Sequence, residues 1–193
     1  VVHNLAKNEA AAEPLDVETI FETGRRLFAM PEREFHHAAI DILSLYQSTW
    51  IDSPRPLETL DTFAEFIETK SWWDTVDTLA SLVGALHRAH ASATRPVLQS
   101  WIYLPSERLW MRRVSIIHQL RSKSVTDEEL LFEACRSCAS DPDFFIRKAI
   151  GWALREYRKT DRRAVDQFLE DHEDRLSPLS RREARLVRNA GAS

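Results

Sequence analysis

Glycine is scarce in this chain, with 4 in 193 residues. That scarcity, beside abundant Ala, Leu, Glu and Arg, points to helices. No stretch of useful length alternates apolar and polar residues, which excludes a sheet protein and leaves an all-α chain. No run of about 18 apolar residues is present, so no membrane-spanning helix is expected. Val1 to Glu13 carries no apolar signal core, so no secretory signal is expected. Cysteine is limited to Cys135 and Cys138, one helical turn apart. A lone CxxC without a second pair, and without a preceding strand, fits neither a zinc site nor a thioredoxin motif. Both are read as reduced helix residues. His87 and His90 have no carboxylate or thiol at ligand spacing and are read as surface or boundary histidines. No metal and no organic cofactor is expected.

Charge is present but unevenly placed. The formal net charge is −4. Residues 1–107 hold 8 Lys and Arg against 16 Asp and Glu, while residues 108–193 hold 18 against 14. An acidic first half and a basic second half suit a polyanionic partner, because local basic stripes govern phosphate binding.

After an unpatterned tail, residues 1–14, the chain reads as helix after helix within one domain over residues 15–193. Asp16 caps a helix to about Met30. A second runs from about Glu32 to Trp50 with Phe35, Ala38, Ala39, Ile42, Leu43 and Tyr46 on its apolar stripe. Others are predicted at about Leu57–Glu68, from Trp72 to about Ala91, from Thr94-Arg95-Pro96 to about Tyr103, and at about Glu107–Arg121. The last four run from Thr126-Asp127 to about Ala139, from a cap within Ser140-Asp141-Pro142-Asp143 to about Arg158, from Thr160-Asp161 to about His172, and from about Leu179 to Arg188. The leading aromatics Phe35, Trp72, Trp110 and Phe145 are 37, 38 and 35 residues apart. A period of that length made of two helices is the HEAT or armadillo class of solenoid, with antiparallel pairs and a concave groove. Trp73, Arg113 and Trp152 then fall at related positions of successive repeats.

Ser71-Trp72-Trp73-Asp74-Thr75-Val76-Asp77 is the most distinctive stretch. Trp73 and Asp77 are four apart and share a helix face. An indole beside an anion suits a cationic ligand. The plainer reading makes Trp72 a core residue and Asp74 a partner of the helix dipole. Trp110 is likewise read as core. Trp152 follows Phe145 by seven residues, where core packing and ligand contact are equally compatible with the periodicity. Arg147, Lys148, Arg155, Arg158 and Lys159 form one basic helix, and Arg181, Arg182, Arg185 and Arg188 another. These are read as a phosphate track or as ordinary exposed charges paired with Glu156, Asp161 and Glu183.

Four blocks resemble one family: Pro31–Phe35, Thr69–Asp77, Phe144–Tyr157 and Leu176–Ala184. They are similar to the AlkD-type bacterial DNA alkylation repair proteins over roughly Leu15 to Arg188. The resemblance implies a basic-grooved HEAT-like solenoid and a DNA glycosylase that removes cationic N3- and N7-alkylated purines from duplex DNA. It implies that Trp73, Asp77, Arg113 and Trp152 are functional positions, and all four keep the family's residue types. Asp77, Trp73 and Trp152 are then the catalytic set, with Asp77 stabilising an oxocarbenium-like sugar and positioning water. Arg113, Arg112, Arg147, Lys148, Arg181 and Arg182 are the DNA-binding set. The expected partner is double-stranded DNA with alkylated bases, met by a monomer without membrane contact in a bacterial cytoplasm. The family carries a further N-terminal helical segment that helps hold DNA, so a weaker grip is expected here. The competing readings are a HEAT-repeat protein that binds distorted DNA without hydrolysis and a protein-interaction scaffold.

Overall fold

In the computed structural model, which describes residues 15–186, Asp16 Oδ1 accepts from Thr19 N–H at 2.8 Å and starts α1, Val17–Ala29. The same local device recurs through the chain. Asp127, Asp143, Asp161 and Ser177 accept from Leu130, Phe145, Ala164 and Ser180 N–H and cap their helices. Each satisfies a donor that the first helical turn leaves without a partner. Among the described residues all regular structure is helical. The expected tail over residues 1–14 lies outside the described residues. The chain divides into two units, Val1–Arg95 and Pro96–Ser193.

The first unit follows α1 with α2 (Arg33–Leu45), α3 (Gln47–Ile51), α4 (Pro56–Glu68) and α5 (Trp73–Ala89). Helix α5 is its hub: α2, α3 and α4 all pack against it. The predicted helix from Glu32 to Trp50 breaks at Tyr46, because the Trp50 indole N–H donates to Leu43 O at 2.7 Å. A continuous helix offers that carbonyl to Gln47. The buried stripe of α2 is His36, Ala39, Ile40 and Leu43, a rotation away from the Phe35–Ala38–Ile42 side. Phe28 stacks on Phe66 at 4.8 Å, and Trp50 meets Phe63 edge-on at 5.0 Å. Gly24 allows that packing, since a Cβ there would come within 2.9 Å of the Phe66 ring.

Helix α6, Ala91–Ile102, begins before the predicted Thr94 and carries Pro96 inside it. The second unit then holds α7 (Leu109–Ile117), α8 (Glu128–Ser137), α9 (Phe144–Arg158), α10 (Arg162–Asp171) and α11 (Pro178–Arg185). Here α9 is the hub, touching α7, α10 and α11. The predicted Glu107–Arg121 helix is shorter, with a 3₁₀ turn at Ser106–Arg108 before it. Beyond its end the Gln119 carboxamide accepts from Asp127 N–H at 2.7 Å and donates to Asp127 O at 3.1 Å, which fixes the approach to α8. No helix among the described residues is long and apolar enough to cross a membrane.

Candidate functional site

Two tryptophans stand exposed at the start of α5. Trp72 is 46% and Trp73 47% exposed. This corrects the core assignment of Trp72. It is the N-cap residue of α5, with extended backbone, and its side chain leaves before the buried stripe begins at Thr75 and Val76. Its carbonyl accepts from Val76 N–H at 3.0 Å and from the Thr75 hydroxyl at 3.0 Å. Asp77 is half-buried one turn after Trp73 on the same helix face. Trp73 and Asp77 are therefore brought together by local geometry alone.

The turn into α5 is firmly held. Lys70 has a left-handed backbone, φ 48°, which costs a non-glycine residue free energy. Its ammonium donates to Ala29 O at 2.9 Å and Met30 O at 2.6 Å, capping the C-terminus of α1. The Ser71 hydroxyl donates to Ile67 O at 2.5 Å in the last turn of α4. On the other side of the tryptophans, Asp74 takes Arg33 Nη2 at 2.5 Å and Thr75 N–H at 2.7 Å on Oδ1, and His37 Nε2 lies 3.5 Å from Oδ2. Burial raises the Asp74 carboxyl. The Arg33 hydrogen bond, the Thr75 N–H and the charges of Arg33 and His37 outweigh burial and hold it below the ordinary carboxylate value. Asp74 thus supports the helix start. Arg33 and His37 were missed as contributors, although their i, i+4 spacing already marked one face of α2.

The second unit holds Trp152, half-buried on α9 with Lys148 one turn before it and Arg155 nearly one turn after. Glu183 of α11 joins these cations: Lys148 Nζ lies 2.9 Å from Oε1, and Arg155 Nη1 donates to Oε2 at 3.2 Å. Glu183 is thus a partner of these basic side chains, as the plainer of the two readings has it, and it is buried. Gly151 makes this possible, since a Cβ there would lie on Glu183 Cβ and 2.8 Å from Ser180 O.

The arginines of α7 do not form a surface stripe. Arg112, 9% exposed, pairs with Asp141 and directs Nη2 toward Cys138 Sγ at 3.5 Å. The guanidinium is buried in an ion pair that braces the approach to α9. Arg113, 5% exposed, donates from Nη1 to Phe145 O at 2.6 Å and lies 5.9 Å from the Phe145 ring centroid. Trp110 is half-buried against Phe145, at 5.0 Å. Arg147 Nε donates to Asp141 O at 3.0 Å, and Arg181 lies 2.7 Å from Glu173. Arg182 and Arg185 are exposed, while Arg188 lies outside the described residues.

His87 is also corrected. It is buried and its Nδ1 meets the Thr94 hydroxyl at 2.8 Å. Cys135 and Cys138 are buried free thiols, and burial pushes both above the usual thiol value. Among the described residues no group of three His, Cys, Asp or Glu is placed to hold a metal ion.

Three comparisons bear on what this geometry serves. The family model for the DNA alkylation repair enzyme matches residues 1–186. A solved structure described as a predicted DNA alkylation repair enzyme from Enterococcus faecalis is 29% identical, with a TM-score of 0.81. The match covers 98% of this chain and 83% of that one. A comparison with curated proteins finds no match. With 186 of its 193 residues matched by that model, the chain belongs to the DNA alkylation repair enzyme family.

Proposed function

We propose that this protein is a monofunctional DNA glycosylase that hydrolyses the N-glycosidic bond of cationic N3- and N7-alkylated purines in duplex DNA. The observation that carries the reading is the exposed Trp73 with Asp77 one turn behind it on α5. A purine alkylated at N3 or N7 carries a formal positive charge. When the bond to C1′ breaks, its electron pair goes to the base and neutralises it, so no strong general acid is needed. The positive charge passes to the sugar. Asp77 stabilises that oxocarbenium-like centre and orients a water whose oxygen bonds to C1′, the water's proton leaving to the carboxylate or to solvent. The Trp73 face favours a cation by about 0.5–2 kcal/mol.

Family resemblance supports the assignment of Trp152 beside the damaged nucleotide, and Lys148, Arg147, Arg181 and Arg182 as phosphate contacts. It also assigns a phosphate to Arg113, which then has to be met by a guanidinium already anchored on Phe145 O. A monofunctional course is supported by Lys70. It is the lysine nearest Trp73 in sequence, and its ammonium is bonded to Ala29 O and Met30 O. It is not poised as an amine nucleophile.

The test is base release from methylated duplex DNA by wild type and Asp77→Asn at low and moderate salt. Release of 7-methylguanine or 3-methyladenine by wild type, reduced about 100-fold or more in the variant, is expected. Equal release by both removes Asp77 from the chemistry. Salt-sensitive DNA binding without release by either replaces the enzyme with a lesion-binding protein. Neither binding nor release favours a protein-interaction scaffold.

A further inference from the structure

The Pro31–Phe35 block has no part in the chemistry above, yet its Arg33 reaches α5. Helix α5 starts badly by local standards. Its N-cap is Trp72, which makes no side-chain cap hydrogen bond, so the first turn lacks the usual local brace for its N–H groups. The brace comes from elsewhere in the unit. Before the tryptophans, Lys70 is tied to Ala29 O and Met30 O. After them, Asp74 is tied to Arg33 and His37. Both ties end on the same α1–α2 corner, about 40 residues earlier in sequence, where His36 Nε2 also donates to Met30 O at 3.0 Å. The exposed tryptophans therefore sit on a segment clamped at both ends. Asp74 Oδ1 carries Arg33 Nη2 and the Thr75 N–H together, so moving Arg33 moves the first turn itself.

We infer that Arg33, assisted by His37, is a positioning residue: by holding Asp74 it fixes the first turn of α5 and the orientation in which Trp73 and Asp77 meet the substrate. The inference rests on the glycosylase reading. Arg33 acts through Asp74, as a helix brace that a tryptophan N-cap cannot supply. Small displacements of a charge-stabilising group are costly to rate, whereas binding along the duplex depends on other contacts.

The experiment is single-turnover base release from a duplex containing 7-methylguanine, with DNA affinity measured alongside. Arg33→Ala is expected to lower the rate about tenfold with affinity within about twofold of wild type. Arg33→Lys, which keeps a donor and the charge, should recover most of the rate. In an Asp77→Asn background Arg33→Ala should cost clearly less than in the wild type, because one of the two groups it orients has lost its charge. Arg26→Ala, breaking the exposed pair with Glu22, serves as a control and should change neither quantity. A wild-type rate in Arg33→Ala overturns the inference. So does a loss of affinity at unchanged rate, which would make Arg33 a phosphate contact, or a full additional loss in the Asp77→Asn background. These outcomes leave the glycosylase reading standing. Absence of release by wild type overturns both.

Discussion

Lys148 Nζ lies 2.9 Å from Glu183 Oε1, and this pair locks α11 onto α9 beside Trp152. Arg155 holds the second oxygen of the same carboxylate. The Lys148 hydrogen bond first, and then the charges of Lys148, Arg155 and Arg182, hold Glu183 below its ordinary value of 4.5 against the opposing effect of burial. A depressed carboxylate contributes stability that is present above its unfolded value and lost as pH falls through the folded one. Glu183→Gln should therefore cost about 1–3 kcal/mol at pH 7. The gap from wild type should close as pH drops below about 4.5. Thermal melts of both proteins across pH 3.5–7 check this. A gap that does not change with pH would contradict it.

Gly151 is needed for space, since its place inside α9 requires no left-handed backbone. A methyl group there collides with Glu183 Cβ and sits 2.8 Å from Ser180 O, which is backbone and cannot swing aside. Gly151→Ala should destabilise the protein by about 3 kcal/mol, even though alanine is the better helix former. Denaturant unfolding measures it. Unchanged stability would mean that α9 and α11 do not approach this closely.

Arg112 and Arg182 separate two kinds of arginine. Arg112→Ala leaves Asp141 without its buried partner and should cost about 3–5 kcal/mol, with DNA affinity unaltered for the folded fraction. Arg182 is exposed, and Arg182→Ala should change stability by no more than about 0.5 kcal/mol. If Arg182 contacts a phosphate, the slope of log affinity against log salt falls by about 0.9. Salt titrations of binding beside thermal melts distinguish them.

Trp73→Ala should leave the melting temperature close to wild type, because the side chain is nearly half exposed. Base release should fall by about 2- to 30-fold, the rate equivalent of a single cation–indole contact. Trp50→Ala is the contrasting variant: a fully buried indole whose loss should destabilise by about 3–5 kcal/mol.

The helices, and most of their starts, were legible in the sequence because capping is local. Asp16, Asp127, Asp143, Asp161 and Ser177 each bond an N–H two or three residues ahead, so side-chain type and spacing determine where the helix begins. The shared face of Trp73 and Asp77 was legible for the same reason, since helical pitch alone sets it. Burial was not local. Trp72, whose sequence context reads as core, stands largely exposed, whereas Arg112 and Glu183, charged residues on helices rich in charge, are buried. Nothing within one turn of these residues distinguishes the cases. Trp72 is exposed because the buried stripe of α5 starts only at Thr75. Arg112 is sequestered by Asp141, 29 residues away, and Glu183 by Lys148 and Arg155, about 30 residues away. The Arg33–Asp74 tie spans 41 residues. The sequence by itself determined where helices form and which side chains share a face. Only tertiary packing decided which charges find partners away from water, because desolvation depends on what other helices bring to the same place.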